Sequence, residues 1–200
     1  MLKLYHVPGT RSARIIWLCE ELGLIYEVET ISFKPEYRLS PEWLAKNPVG
    51  KVPAMEDGGL TLFESGAMVQ YILDRYGNGR LEPSRGTNEH ALYMQWSWFA
   101  EATFARPLGE IVNHRRNFDP PLPGAIEEMQ GRARLCVTAL NSALAGRDYL
   151  AGEFSAADIM TGYSLMLCER LAPWKDEPHV TRYWNALRER PAAIKALSSN

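Results

Sequence analysis

Asn47-Pro48-Val49-Gly50-Lys51-Val52-Pro53-Ala54, followed by Leu62-Phe63-Glu64-Ser65, decides how the first part of this chain is read. Between the two stretches, Asp57-Gly58-Gly59 separates short apolar runs from Val52 to Met55 and from Leu60 to Phe63. Asp-Gly between strand-like runs is a hairpin signal, because tight hairpin turns need residues that accept positive φ. Pro53 has no N–H for a strand ladder, so it belongs at the start of a strand or on an edge. An X-Pro bond is the one place where a cis peptide is cheap, at roughly 0.5–1 kcal/mol. If Val52-Pro53 is cis, the Val52 N–H and C=O turn outward, and an extended peptide can pair with them as an added strand does.

Ser65 opens a helical pattern through Tyr76, with apolar residues at 68, 69, 72, 73 and 76. It therefore stands at or near the N-cap, where free N–H groups and the positive dipole end favour a carboxylate. Glu64 beside it can hold an ammonium. A carboxylate and an ammonium side by side describe an α-amino-acid head group. Taken alone, Ser65 reads equally as a plain cap and Glu64 as a solvated charge. The combination of Val-Pro, Asp-Gly-Gly and Glu-Ser favours a ligand.

Outward from this centre, Leu2 to Tyr5 reads as a strand and Arg11 to Leu22 as a helix that stops at Gly23. Tyr26 to Thr30 reads as a second strand. Pro41 to Lys46 is a short helical turn led by Ser40 as cap. Strand-helix-strand implies parallel neighbours, and the hairpin adds an antiparallel pair. A breaker-rich linker at 78–86 divides residues 1–77 from residues 87–200, where no strand pattern remains. Helices are expected over Asn88 to Arg116, Ala125 to Ala145, Ala156 to Ala172, Val180 to Glu189 and Pro191 to Ser198. Pro107 should kink the first of these or end it early. Ser155 and Asp158 form a capping-box pattern whose role is folding rather than chemistry.

A net charge of −2 with no long basic run gives no footprint for nucleic acid. No apolar run approaches the roughly 20 residues of a membrane span, and no signal-peptide pattern opens the chain. Cys19, Cys136 and Cys168 are far apart, without metal-ligand spacing, and read as buried reduced thiols suited to the cytoplasm.

Val52-Pro53-Ala54 with Thr61-Leu62-Phe63-Glu64-Ser65 resembles the glutathione-binding half of the cytosolic glutathione S-transferase superfamily. Lys3 to Arg14 and Phe154 to Ile159 carry the same resemblance, so it covers nearly the whole chain. It implies an α/β N-terminal thioredoxin-like domain followed by an all-α C-terminal helical domain, a cytoplasmic homodimer, glutathione as co-substrate and no metal. The implied activity conjugates the glutathione thiolate to an apolar electrophile in detoxification. A glutathione-dependent isomerase, dehalogenase or peroxidase on the same fold is an alternative, as is a non-catalytic regulator.

By the resemblance, Lys51, Val52, Pro53, Glu64 and Ser65 bind glutathione. A free thiol near pKa 8.5 is only slightly ionised at neutral pH, and a hydroxyl donor or a helix N-terminus stabilises its anion. In relatives with a bacterial-type Ser/Thr loop, a serine stands four residues before the helix arginine. Thr10 occupies that place relative to Arg14, adding a methyl group. Ser12 is the second candidate, or a helix cap, and Tyr5 the third. Lys51 reads as a partner for the glycine carboxylate or as a solvated charge. Trp96, Phe99, Thr103 and Trp174 are candidates for the electrophile pocket, although aromatic helices more often serve a core.

Overall fold

A computed structural model describes residues 1–198. Its first unit is built around β1 (Leu2–His6), whose side chains are buried except for half-buried Lys3. β1 pairs in parallel with β2 (Tyr26–Thr30), Leu2 opposite Tyr26 and His6 opposite Thr30. On its other side it runs antiparallel to β3 (Ala54–Asp57), with Tyr5 opposite Ala54. β3 turns through Gly58 and Gly59, both at positive φ, into β4 (Leu60–Phe63), and Ala54 faces Phe63. The order is β2-β1-β3-β4, a mixed thioredoxin-like sheet.

α1 (Ser12–Leu22) crosses over from β1 to β2 and buries Ile15, Ile16, Trp17, Leu18 and Leu22. Each contributes about 1.5–3 kcal/mol by leaving water. Gly23 ends the helix in the left-handed conformation, with its N–H on Glu20 O and that of Leu24 on Cys19 O. α2 (Pro35–Arg38) is an element the sequence reading passes over. α3 (Pro41–Leu44) starts at Pro41, with the Ser40 hydroxyl accepting from Trp43 N–H as expected. Trp43 is fully buried against Tyr5 and Ala54. α4 (Ser65–Tyr76) buries Met68, Val69, Ile72 and Leu73.

The second unit is helical. The helix expected over 88–116 is three segments: α5 (Asn88–Trp98), a wide π-helical turn over Phe99–Phe104, and α6 (Ala105–Asn117). The cause lies at Pro107, which has no N–H for the Thr103 carbonyl four residues back. The Cys136 thiol approaches that carbonyl instead, at 3.9 Å. Ala105 N–H reaches back five residues to Ala100 O, which also accepts from Ser164 Oγ at 3.2 Å. α7 (Pro123–Ala143), α8 (Ala156–Leu171) and α9 (Pro178–Arg188) follow. α8 is buried on nearly every face and carries the capping box: Asp158 accepts from Ser155 N at 2.8 Å, Leu150 N at 3.1 Å and Tyr183 Oη at 2.7 Å.

α10 (Pro191–Ser198) returns to α1, where Arg190 grips Glu21 through two bonds of 2.7 and 2.8 Å. The chain divides by contacts into Met1–Leu81 with the segment from Glu189 onward, and Glu82–Arg188. The sequence division at 77 and 87 is close to this at the linker. It differs at the C-terminal end, because the last helix buries its apolar face against α1.

Candidate functional site

Sheet register gathers the sequence-predicted residues of the first unit at one end of the sheet. Ala54 faces both Tyr5 and Phe63. Val52-Pro53 just before Ala54, Glu64-Ser65 just after Phe63, and the loop after His6 therefore emerge side by side.

The Val52-Pro53 peptide is cis. Among the described residues, no hydrogen bond uses the Val52 N–H or C=O. The loop leading there is stapled by Asn47, only 2% exposed. Its amide donates to Lys51 O at 2.9 Å and Pro53 O at 3.3 Å, and its carbonyl accepts from Val49 N at 3.2 Å. Sequence reasoning quoted Asn47 without giving it a role; an Asn before a Pro-containing loop was the available signal. Lys51 projects into solvent.

Glu64 sits at φ 75°, ψ 107°, a conformation costly for a residue with a side chain. It occupies the N-cap position of α4 with its carboxylate exposed. Ser65 is buried as the first helical residue rather than the cap itself. Arg14, fully buried on α1, donates from Nη1 to Ser65 Oγ at 3.1 Å. With one lone pair occupied by Arg14, the Ser65 hydroxyl keeps its own hydrogen to give.

Of the two candidate hydroxyls, Thr10 is half-buried and Ser12 is fully buried. Thr10 Oγ1 donates to Val7 O at 2.7 Å and lies 2.8 Å from Ser12 Oγ. Ser12 Oγ in turn lies 2.8 Å from His6 Nδ1, 3.4 Å from Val7 N and 3.3 Å from Val7 O. Ser12 is the first residue of α1 and stands behind Thr10 as its support; Arg11 holds the cap position without a side-chain cap bond. His6 is a site residue that sequence reasoning missed, since strand periodicity marks it only as one of a buried row. Tyr5 is removed as a thiol donor. Its ring packs edge-on to Trp43 at 5.6 Å and its hydroxyl donates to Glu56 at 3.1 Å. Lys46 also engages Glu56 and, as the larger influence, holds that carboxyl below its ordinary range.

In the second unit, Phe99 and Thr103 line a cleft of about 420 Å³ with Arg106, Pro107, Leu135 and Cys136. Trp96 and Trp174 do not line it. Trp96 is 8% exposed and packs edge-on against Phe99 at 5.1 Å, while Trp174 Nε1 donates to Thr181 Oγ1 at 3.2 Å. The four expected pocket residues thus fail to share one wall. Trp96 and Phe99 touch, and Phe99 and Thr103 share the cleft, as their helical spacing expects, but Trp96 is buried in the core beside the cleft wall. Among the described residues, no group of three or more His, Cys, Asp or Glu could hold a metal, and no helix is long and apolar enough to cross a membrane.

A thioredoxin-like sheet with an unpaired backbone margin beside a helix N-terminus, followed by a helical unit, defines the class of protein. Residues 1–74 match the family model "Glutathione S-transferase, N-terminal domain". Glutathione S-transferase 4 of Zea mays is 32% identical, over 92% of this chain and 85% of the maize protein. The disulfide-bond oxidoreductase YfcG of Escherichia coli is also 32% identical, over 98% of this chain and 94% of that protein. Among solved structures, the glutathione transferase URE2P6 of Phanerochaete chrysosporium, in complex with oxidized glutathione, has a TM-score of 0.90. It is 27% identical and is covered to 95%, against 99% of this chain. The chain belongs to the glutathione S-transferase family.

Proposed function

We propose that this protein binds glutathione along the margin formed by Val52, Glu64 and Ser65, and conjugates its thiolate to an apolar electrophile. The observation that carries the reading is the convergence, at one sheet end, of an unpaired backbone N–H and C=O, an exposed carboxylate and a hydroxyl at a helix N-terminus. Val52 pairs with the cysteinyl amide as an added strand would. Ser65 and the first N–H groups of α4 take the γ-glutamyl carboxylate, and Glu64 takes its ammonium. Lys51, beside Val52-Pro53, faces the glycine carboxylate. Thr10, the outward hydroxyl of the loop, turns its hydrogen from Val7 O to the sulfur. The thiol proton leaves to solvent, and sulfur attacks the electrophilic carbon as the leaving group departs. The cleft at Phe99 and Thr103 in the second unit offers apolar and hydroxyl surface of the kind an apolar electrophile would take. The working form is a cytoplasmic homodimer serving detoxification, in keeping with the family.

A second reading is supported by the similarity to the E. coli oxidoreductase: glutathione-dependent reduction of disulfides, with a second glutathione as the resolving thiol. Glutathione binding is measured first by calorimetry, and the bound thiolate is then titrated by its ultraviolet absorbance. Thr10→Val is expected to raise the thiol's apparent pKa and lower kcat/KM for a chloronitrobenzene about 10–100-fold, the worth of one charge-assisted hydrogen bond. Retained glutathione binding with turnover only of disulfides would replace conjugation by the second reading. No binding would end both.

A further inference from the structure

We infer that His6, through Ser12, is a positioning residue for the Thr10 hydroxyl, and that His6 carries hydrogen on Nδ1. The inference deepens the glutathione reading above and rests on it.

Hydrogen counting makes the assignment. Three short contacts run in series: His6 Nδ1 to Ser12 Oγ at 2.8 Å, Ser12 Oγ to Thr10 Oγ1 at 2.8 Å, and Thr10 Oγ1 to Val7 O at 2.7 Å. They outweigh the longer approach of Ser12 Oγ to Val7 O at 3.3 Å, which competes for the one Ser12 hydrogen. Each short contact needs one hydrogen. A carbonyl oxygen only accepts, so the Thr10 hydrogen lies toward Val7 O. The single Thr10 hydrogen is then spent, and the contact between the hydroxyls needs that of Ser12. Ser12 is spent in turn, so the contact with His6 needs hydrogen on Nδ1. A bare Nδ1 would draw the Ser12 hydrogen inward and turn that of Thr10 to Ser12. Two oxygens, Thr10 Oγ1 and Val7 O, would then face each other at 2.7 Å with no hydrogen between them.

The chain has direction. His6 is 2% exposed and Ser12 is fully buried, whereas Thr10 is half-buried. The hydrogens of His6 and Ser12 run outward, that of Thr10 rests on the carbonyl of buried Val7, and the one solvent-facing member is the one proposed to meet sulfur. Hydrogen bonds in series polarise one another, so a hydroxyl that accepts from behind donates more strongly ahead. When the thiolate arrives, the Thr10 side chain turns, taking Oγ1 away from Val7 O as its hydrogen passes to sulfur, while His6 and Ser12 keep their hydrogens in place. Ser12 is thus a relay held by His6 and by the Val7 N–H, which donates to it at 3.4 Å.

The test uses the intact protein with reduced glutathione as the probe. Calorimetric binding to the wild type is established first, and its absence would overturn the glutathione reading and this one with it. With binding in hand, His6→Phe is expected to raise the apparent pKa of the bound thiol by about 0.3–0.5 unit, the share of a charged hydrogen bond that polarisation supplies. His6→Asn, which keeps an N–H donor near Nδ1, is expected to restore most of the shift. In a Ser12→Ala background, His6→Phe should add nothing. A structural role alone would lower stability in both His6 variants without this pattern. An unchanged thiol titration in a folded, glutathione-binding His6→Phe protein overturns the relay. A second measurement needs no folded variant: the nitrogen-15 resonances of wild-type His6 should show a protonated Nδ1, and a bare Nδ1 overturns the assignment.

Discussion

Arg14 and Ser65, 51 residues apart in the chain, meet at 3.1 Å and join the first helix to the first turn of the helix after the hairpin. The contact places a fully buried cation behind the site, where its charge adds to the positive dipole end of α4. Ser65→Ala removes an acceptor from that guanidinium and should cost about 1–3 kcal/mol of stability. It should also weaken glutathione binding through the lost carboxylate contact. Arg14→Met should cost at least as much in urea denaturation while leaving the Ser65 hydroxyl in place. Ser65→Ala should therefore lose more affinity per unit of stability lost than Arg14→Met. Equal affinity losses in the two variants would remove Ser65 from the ligand site.

Asn47 makes three hydrogen bonds to the backbone that leads into Val52-Pro53. Asn47→Ala leaves the buried Pro53 carbonyl, the Lys51 carbonyl and the Val49 N–H short of a partner. A loss of about 2–3 kcal/mol is expected. Because Asn47 does not touch the ligand in the proposed pose, its effect on glutathione should appear as a weaker Kd with an unchanged bound-thiol pKa. A shifted pKa would place Asn47 closer to sulfur than the proposed pose allows.

Most of the first unit was legible because its signals are local. Asp57-Gly58-Gly59 marked the hairpin, Gly23 the end of α1, and Ser40-Pro41 the start of α3, each through the backbone geometry that residue type favours. Glu64 and Ser65 were legible as a pair at a helix start. Their division of labour was not, because it depends on Arg14 arriving from another element. His6 and Ser12 lie six residues apart on a strand and the helix after it, so their contact depends on the intervening turn. The π-helical turn after Trp98 was out of reach for a related reason. Pro107 announces a lost hydrogen bond, but where the helix widens depends on its neighbours, here Cys136 at the freed Thr103 carbonyl and Ser164, which adds a second bond to the Ala100 carbonyl.

Asp57 closes the hairpin against α4. It accepts from Tyr71 at 2.9 Å and from Tyr76, and meets the N-terminal ammonium at 3.5 Å. The Tyr76 hydroxyl is the largest of the influences that hold its carboxyl below the ordinary range. A depressed native pKa means that the unfolded chain binds the proton more readily. This stabilisation is therefore fully present above the unfolded value near 3.9 and is lost as pH falls through the native value. Asp57→Asn should lower the urea midpoint at pH 7 by an amount equivalent to about 1–2 kcal/mol. The gap from wild type should close between about pH 4 and pH 2. A gap that stays constant over that range would mean that the Asp57 charge contributes nothing.

The three cysteines bear on the choice between conjugation and disulfide reduction. Burial pushes the Cys19 and Cys168 thiols up to about 12 and Cys136 up to about 11. The native thiols are thus almost wholly protonated at pH 8, and the thiolate is the reacting species. An aromatic disulfide reagent should label the native protein slowly and all three positions at once in denaturant. Cys136 should react first, since its residue lines the second unit's cleft and its thiol is the least raised. If the protein reduces disulfides, the thiols must then come from glutathione, since no cysteine stands at the Thr10 loop. A folded variant with Cys19→Ala, Cys136→Ala and Cys168→Ala together should keep that activity within about twofold, because no cysteine bonds to sulfur in the cycle. Loss of disulfide reduction in the triple variant, with glutathione binding intact, would put one of these cysteines in a mixed disulfide and overturn the burial argument.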